Sequence, residues 1–435
     1  MRFFLCAAAT LSLAALLAAC HPSEASLPNA VRGTWQGAVT IDGRNLGIVV
    51  HFSDAAKSTL DIPSQHAYAI PLKQIRIQSA KVSFELAAGS DPATFRGTQT
   101  GNVIAGSFAQ GGHVGTFSMA KSGGAGTDVR AAVADETRVA LRTPTGDIVG
   151  SLLMPPEKRP VPVILIISGV GNMDRNGNLP AVHAVNNSLL LLAEALRKEG
   201  FATIRYDKRG VGESAGALVA GHPLEFSDLI NDAGGWITNL KGDSRFTKVG
   251  VLGYDEGALV GMVAAENAHA DVFVSLEGSA APADLQLKAQ LAALPQAMRS
   301  EGDRIIDRLK AGQRVSNVSN SLLTLLGPQQ QPFLISKFRY DPLAEIARLT
   351  MPVLILQGTA DRELSPGQAE ELHKARPGSY MDLVSGMNHV LKTGSPNRAA
   401  DLATYSNPDL PLDPELVQVL TGFLKSVLVP VTAHQ

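Results

Sequence analysis

Two hydrophobic patterns divide the chain. In the first, apolar and polar positions alternate in short runs broken by Gly, Asp and Asn, as at residues 34–41, 46–52, 82–86, 95–98 and 103–108. This alternation predicts strands with one buried face, and the spacing of the runs predicts a small antiparallel barrel or sandwich over residues 32–121. The segment contains no constellation of catalytic side chains. We therefore expect it to be an accessory domain with a structural role, as a spacer or a lid.

The second pattern follows a Gly-rich and Ser-rich linker at residues 122–133. Continuous apolar runs now alternate with stretches of helical periodicity. The runs lie at residues 163–167, 202–206, 249–252, 352–357 and 381–384. Such runs are typical of strands buried on both faces, so residues 134–435 are predicted to form a mostly parallel sheet with helices on both sides.

The continuous apolar runs that predict buried strands are interrupted between about residues 281 and 335. Amphipathic stretches at 285–298 and 304–309 predict a helical cap inserted between two strands of the sheet. A further helix is predicted at 185–198, and the last at 414–427.

The N-terminus has the layout of an export signal. An apolar run from residue 3 to 19 follows Arg2, and the sequence Leu-Ala-Ala-Cys ends at Cys20. This ending resembles the bacterial lipobox, which implies cleavage before Cys20 and lipidation of that residue. Residues 1–20 are then a lipoprotein signal peptide and 21–31 a tether, and the expected location is the cell envelope. His21 after the cysteine suggests the outer membrane, with the protein facing the periplasm.

The composition indicates which classes of binding partner to expect. The 435 residues are 45% hydrophobic and 18% charged, with a formal net charge of −2. No basic run is interleaved with aromatic residues, so nucleic acid is not expected as a partner. We expect a small-molecule substrate, and contact with a membrane only through the lipid anchor.

A sharp turn between strand and helix organises the second domain. Residues 249–252 read as a strand and 258–265 as a helix, and Gly253-x-Asp255-x-Gly257 joins them. This is the form of the nucleophile elbow G-x-S-x-G, in which small residues allow strand and helix to approach closely. Aspartate stands where the nucleophilic serine is expected. Asp255 could alternatively be a helix N-cap without chemistry of its own.

Two more polar residues follow predicted strands. Asp361 and His389 come after the runs at 352–357 and 381–384. With Asp255 they occur in the order nucleophile, acid, histidine, which is the chain order of the α/β-hydrolase fold. Strand ends of a parallel sheet meet at one edge, so we expect these three side chains to converge.

Three further motifs carry a resemblance to a family. They are Ser-Gly-Val-Gly-Asn-Met-Asp-Arg at 168–175, Tyr-Asp-Lys-Arg-Gly-Val-Gly-Glu-Ser at 206–214 and Asn-His-Val-Leu-Lys at 388–392. With the elbow, they resemble the exported bacterial esterases of the α/β-hydrolase superfamily, of the S33-like type with an N-terminal β domain. The resemblance covers residue 138 to the C-terminus and implies an α/β-hydrolase fold. It also implies a carboxylic-ester hydrolase without a cofactor.

The resemblance assigns roles to individual residues. Asp361 would orient His389, and His389 would act as the base. The backbone N–H groups of Glu256 and Val170 would form the oxyanion hole. Asp207 and Arg209 would order a loop through ion pairing.

Asp255 opens three interpretations. The favoured one is a carboxylic-ester hydrolase with Asp-Asp-His in place of Ser-Asp-His. An aspartate at the elbow also serves as the nucleophile in haloalkane dehalogenases and epoxide hydrolases, where it attacks a saturated carbon; those relatives usually carry a Trp after it, or cap tyrosines, whereas Glu256 follows here. The third interpretation is a ligand-binding protein on a hydrolase scaffold. A zinc site is not expected, because none of the ten His residues has zinc-binding spacing.

Overall fold

The computed structural model describes most of the chain. The described residues are 27–41, 44–53, 57–62, 67–86, 92–121, 136–157, 159–180, 184–219 and 221–429. The predicted signal peptide with Cys20, most of the tether and the linker lie outside them. No helix within the described ranges combines the length and the hydrophobicity that crossing a bilayer requires.

The N-terminal domain is a closed barrel, which decides between the two predicted architectures. Each strand pairs antiparallel with its neighbour in sequence, and β1 closes the barrel against β8. The strands are β1 (Gly33–Ile41), β2 (Arg44–Phe52), β3 (Thr59–Ile62), β4 (Ala67–Gln78), β5 (Lys81–Leu86), β6 (Ala93–Thr100), β7 (Val103–Gln110) and β8 (His113–Lys121).

Aromatic side chains fill the barrel. Phe84 stacks on Phe95 with a centroid distance of 4.6 Å, and Phe117 meets Phe95 edge to face at 5.3 Å. Trp35 is fully buried and donates its indole N–H to the carbonyl oxygen of Val31. The interior is thus a packed core.

The C-terminal domain is built on an eight-stranded sheet. Its strands are β9 (Glu136–Thr143), β10 (Gly146–Leu153), β11 (Val161–Ile167), β12 (Ala202–Tyr206), β13 (Phe246–Tyr254), β14 (Val272–Leu276), β15 (Val353–Gly358) and β16 (Tyr380–Val384). The order across the sheet is β16-β15-β14-β13-β11-β12-β10-β9. Pairing is parallel from β12 through β11 to β16, and antiparallel only at the β9–β10–β12 side. This agrees with the predicted α/β-hydrolase fold.

Helices cover both faces of the sheet. They are α1 (Ser188–Lys198), α2 (Phe226–Lys241), α3 (Glu256–Asn267), α4 (Ala283–Leu291), α5 (Gln296–Lys310), α6 (Leu323–Leu326), α7 (Gln331–Lys337), α8 (Pro342–Arg348), α9 (Gly367–Ala375), α10 (Arg398–Thr404) and α11 (Pro414–Leu428). Apolar side chains of α2, α3, α8 and α9 join the core on one face, and those of α1 and α11 the core on the other.

Helices α4 to α7 form a cluster with its own apolar core, which includes Ile305, Leu309 and Leu326. One expectation here is wrong: residues 285–298 do not form one helix. The chain leaves α4 after Leu291, and α5 begins directly after Pro295, which lacks a backbone N–H and cannot continue a preceding helix.

Candidate active site

The elbow at Asp255 has a strained backbone. Its φ of 53° and ψ of −120° lie in a region that side chains other than glycine rarely adopt. The N–H of Asp255 donates to the carbonyl oxygen of Leu276, and Tyr254 is in register with Leu276 on the neighbouring strand. Strain of this kind costs about 1–3 kcal/mol and persists only where the surroundings enforce it. Here the end of β14 fixes the turn.

The two elbow glycines are required by space. A Cβ on Gly253 would lie 2.2 Å from the carbonyl oxygen of Gly257, and a Cβ on Gly257 would lie 2.4 Å from that of Ile167. Strand β13, helix α3 and strand β11 therefore touch backbone to backbone. The predicted reason for the glycines agrees with the structure.

The carboxylate of Asp255 does not cap helix α3. Although Asp255 occupies the N-cap position, its side chain accepts no hydrogen bond from the first turn of α3. Instead its Oδ2 accepts the backbone N–H of Val170 at 3.0 Å. The helix-cap alternative is thus wrong, because the unusual backbone angles turn the side chain toward the loop after β11. The carboxylate is therefore bonded to one of the two backbone N–H groups that were predicted to form the oxyanion hole, that of Val170.

Asp361 and His389 meet as predicted from their positions after β15 and β16. His389 Nδ1 lies 2.8 Å from Asp361 Oδ2, and both side chains are almost completely buried. Asp361 Oδ1 also accepts the N–H groups of Glu363 and Leu364, which fixes the carboxylate. The other ring nitrogen, Nε2, lies 3.7 Å from the half-exposed carboxylate of Glu363.

The charges around His389 keep its ring protonated. Burial by itself would lower the pKa of His389, but the hydrogen bond to Asp361 and the negative charges of Asp255 and Glu363 raise it from 6.5 to about 9. Burial likewise would raise the pKa of Asp361, and its hydrogen bonds lower it to about 2. At neutral pH the pair is an imidazolium and a carboxylate. This state suits His389 to donate a proton and not to accept one.

Two side chains anchor the histidine loop. Tyr254 donates its hydroxyl to the backbone carbonyl of His389 at 2.8 Å. Asn388 is fully buried and donates to Asp401 at 3.0 Å and to Thr404 at 2.8 Å. These bonds fix the loop that carries the imidazole, and among the described residues no hydrogen bond joins His389 to Asp255.

Lys208 and Lys337 place positive charge near the acidic residues of the elbow. Lys208 is buried and donates to the carbonyl oxygen of Gly169. Its burial lowers the pKa of Lys208 to about 8, although the charges of Glu256 and Asp255 act to raise it. Lys337 of α7 forms an ion pair with the side chain of Glu256. The sequence pattern alone did not indicate a role for Lys208.

The loops at 168–175 and 206–214 are held by ion pairs that include Asp207 and Arg209. Arg209 binds Asp232 of α2 at 2.6 Å, and Asp207 pairs with the guanidinium of Arg175 at 3.5 Å and accepts its backbone N–H at 3.0 Å. The guanidinium of Arg175 also reaches Glu213. Neither Asp207 nor Arg209 lies in a hydrogen bond with the candidate catalytic residues.

Sequence reasoning missed Glu277. It follows β14 directly, is fully buried and has a φ of 51°. Its position at the end of an apolar strand, on the edge that carries Asp255 and Asp361, was the available signal. Glu277, Asp361 and His389 offer ligand atoms within 4.8 Å of one another, which is a spacing that could hold a metal ion. The carboxyl groups of Glu277 and Asp361 and Nδ1 of His389 already form hydrogen bonds within the protein.

Comparisons with known proteins agree with a hydrolase. A family model described as "Serine aminopeptidase, S33" matches residues 186–344. Esterase EstD of Thermotoga maritima is 24% identical over 249 residues, which cover 56% of this chain and 58% of EstD. Rhodomycin D methylesterase DnrP of Streptomyces peucetius is 26% identical over 241 residues, covering 46% of this chain and 78% of DnrP. The chain thus matches less than two thirds of the length of EstD.

A solved structure, Est1E from Butyrivibrio proteoclasticus with bound ferulic acid, is 15% identical and has a TM-score of 0.43. The alignment covers 66% of this chain and 98% of Est1E. The family model and the two esterases support the prediction of a carboxylesterase-like hydrolase.

Proposed function

We propose that this protein hydrolyses small carboxylic esters by direct attack of water, with Asp255 as the base and His389 as the acid. The observation that carries the proposal is the charge arrangement: His389 is bonded to the carboxylate of Asp361, and this bond together with the negative charges of Asp255 and Glu363 raises the pKa of His389 to about 9. The similarity to EstD and DnrP, both named as esterases, supports the substrate class.

The proposed reaction has two proton transfers. Asp255 takes a proton from water while the water oxygen bonds to the ester carbonyl carbon. The tetrahedral intermediate then collapses, the bond to the alcohol oxygen breaks, and His389 gives its Nε2 proton to that oxygen. The acid formed returns a proton to His389, and Asp255 releases its proton to solvent, so the site is restored.

The proposed reaction is slowed because the N–H of Val170 already donates to Asp255. In serine hydrolases such a donor stabilises the oxyanion, and its loss typically costs about 10²–10³ in kcat. In this chain Asp255 holds the donor at 3.0 Å, so the substrate oxygen has to compete for it. We therefore expect slow turnover compared with a serine esterase.

Substitutions at Asp255 test the proposal. Asp255→Asn should reduce ester hydrolysis at least about 10²-fold, because the base is lost while the size is kept. Asp255→Ser should increase it: the donor on Val170 becomes available, the pKa of His389 falls, and a hydroxyl replaces the carboxylate. Rates are measured with a panel of short acyl esters, and Asp147→Asn on the exposed β9–β10 hairpin is the matched control. Full activity in Asp255→Asn would exclude Asp255 as the base.

One observation favours a second reaction, alkyl transfer to Asp255. If Asp255 attacked a saturated carbon of an epoxide or haloalkane, the resulting ester would keep one carboxylate oxygen as its carbonyl. The hydrogen bond from the N–H of Val170 to Oδ2 supports that role, since this oxygen gains charge when water attacks the ester.

Isotope labelling separates the two reactions. Single turnover in ¹⁸O-water places label in the Asp255 carboxylate only if an alkyl-enzyme ester forms. Under the ester-hydrolase proposal Asp255 stays unlabelled and the label appears in the product acid. A wild type without turnover on esters, epoxides and haloalkanes, combined with no gain in Asp255→Ser, would leave a ligand-binding protein.

A further inference from the structure

Glu277 lies beside the acid member of the site and has no assigned role. Strand β14 ends at Leu276, and the N–H of Glu277 donates to the carbonyl oxygen of Leu356 on β15 at 2.9 Å. This bond continues the register of the sheet past the strand end. It brings the Glu277 carboxyl group to the edge where Asp255 and Asp361 stand.

Two residues of β15 form hydrogen bonds with the carboxyl group. Its Oε1 accepts the backbone N–H of Gly358 at 2.8 Å, and its Oε2 accepts the side-chain amide of Gln357. The same amide donates to Asp361 Oδ2 at 2.9 Å. Gln357 therefore joins the two carboxyl groups and holds them close together.

Two adjacent buried carboxyl groups cannot both be ionised without a large cost. Asp361 is the member bonded to the imidazolium of His389, so the negative charge resides on Asp361. Burial, the hydrogen bond to Asp361 and the charges of Asp361 and Asp255 raise the pKa of Glu277 well above its ordinary value. The hydrogen bond from the N–H of Gly358 acts to lower this pKa but does not offset these effects.

We propose that Glu277 is a positioning residue that, as a neutral carboxylic acid, donates its proton to Asp361 and fixes that carboxylate against His389. The pair then acts as one unit with a single negative charge. Glu277 does not touch substrate. Its effect on the proposed hydrolysis, on which this inference rests for its kinetic consequence, passes through Asp361 to the ring of His389.

The groups that face Glu277 define what a titration reports. They are Asp361 and Gln357 from β15 and its loop, Asp255 and Tyr254 from the end of β13, and His389 from the loop after β16. Asp361, whose pKa is lowered to about 2, stays ionised over the range in which His389, with a pKa of about 9, loses its proton. The ring of His389 is therefore the probe.

The decisive measurement is the titration of His389 by ¹⁵N NMR in wild type, Glu277→Gln and the control Glu371→Gln, an exposed glutamate on α9. A neutral Glu277 predicts that Glu277→Gln leaves the midpoint of His389 within about 0.3 pH units, because no charge is removed. An ionised Glu277 predicts that the midpoint falls by about one unit or more, and this result would overturn the proposal. The measurement needs no substrate, so it remains informative if ester hydrolysis itself is disproved.

Glu277→Leu tests positioning. It removes the donor to Asp361, and we expect kcat to fall about tenfold or more with KM unchanged, together with loss of the low-field Nδ1 proton signal of His389. Glu277→Gln, whose amide can still donate, should keep the signal and most of the activity. An unchanged low-field signal in Glu277→Leu would show that Asp361 is held without Glu277.

Discussion

The protonation of His389 predicts an unusual pH dependence for ester hydrolysis. Under the proposed mechanism the active form has an ionised Asp255 and a protonated His389. The rate constant kcat/KM for an alkyl ester should then be flat between about pH 6 and 8 and fall above about pH 9, where the imidazolium is lost. A site that used His389 as the base would show the opposite trend.

Asp361→Asn shifts this profile by a calculable amount. The hydrogen bond to the ring can remain, but the charge that favours the imidazolium is gone, and the pKa of His389 falls from about 9 toward 6.5. At pH 7.5 the protonated fraction would decrease from about 97% to about 9% for the complete shift, which is about an elevenfold loss of the active form. Asp255 and Glu363 still favour the cation and burial still opposes it, so we expect a loss of about tenfold from protonation alone.

Two substrates reveal the acid step. Ethoxide needs a proton when it leaves, whereas 4-nitrophenolate does not. We expect the alkaline fall for ethyl butyrate in a pH-stat, and a much weaker fall for 4-nitrophenyl butyrate. In Asp361→Asn the fall for ethyl butyrate should begin near pH 7, and Asp147→Asn serves as the control. A wild-type rate that increases tenfold per pH unit up to pH 9 would refute the assignment of His389 as the acid.

Four other measurements follow from the structure and the sequence. Tyr254→Phe removes the hydrogen bond to the carbonyl of His389 and should lower the free energy of unfolding by about 1 kcal/mol in urea titrations; no change would mean that the bond contributes nothing. Folding raises the pKa of His389 from 6.5 to about 9, so protonation of this ring adds up to about 3 kcal/mol to the free energy of unfolding below pH 6.5, and this stabilisation is lost as the pH rises to 9. In His389→Gln the free energy of unfolding should therefore decline less over this pH range. Gly169→Ala places a Cβ 2.7 Å from Oδ2 of Asp255 and should reduce stability by about 1–3 kcal/mol and turnover at least tenfold; wild-type values would contradict the close approach. Cys20→Ser should leave the signal uncleaved and wild type should fractionate with membranes, and a soluble mature protein would contradict the lipoprotein prediction.

The positions of the candidate catalytic residues were predictable because they depend on local pattern. Continuous apolar runs identify strands buried on both faces, and a polar residue after such a run lies at the functional edge of a parallel sheet. The run at 163–167 lies within β11, Val161–Ile167, and the strand before Asp361 was found in the same way. The run at 381–384 also forms a strand, but the expected burial on both faces is wrong there, because β16 lies at the edge of the sheet and is only partly buried. The pairing of Asp361 with His389 needed only this edge and the chain order.

The charge states were not predictable, because they depend on residues far apart in sequence. The raised pKa of His389 comes from Asp255, Asp361 and Glu363, and the bond from Val170 to Asp255 joins residues 85 positions apart. The sequence indicates Glu277 only weakly, as a single acidic residue after a strand. Its position next to Asp361 depends on the pairing of β14 with β15, which the sequence does not show.

The tight backbone packing around the elbow means that the side chain at position 255 can be replaced by other reactive groups. Gly253, Gly257 and Ile167 set the backbone there without using the side chain of residue 255. The sequence has no cysteine after residue 20. Asp255→Cys, made in a chain that begins after that residue, would therefore carry one thiol at the centre of the site. A fluorophore, a spin label or a synthetic catalyst attached to it would be aimed at the same edge of the sheet, so the scaffold offers a single-point handle for artificial enzymes and sensors.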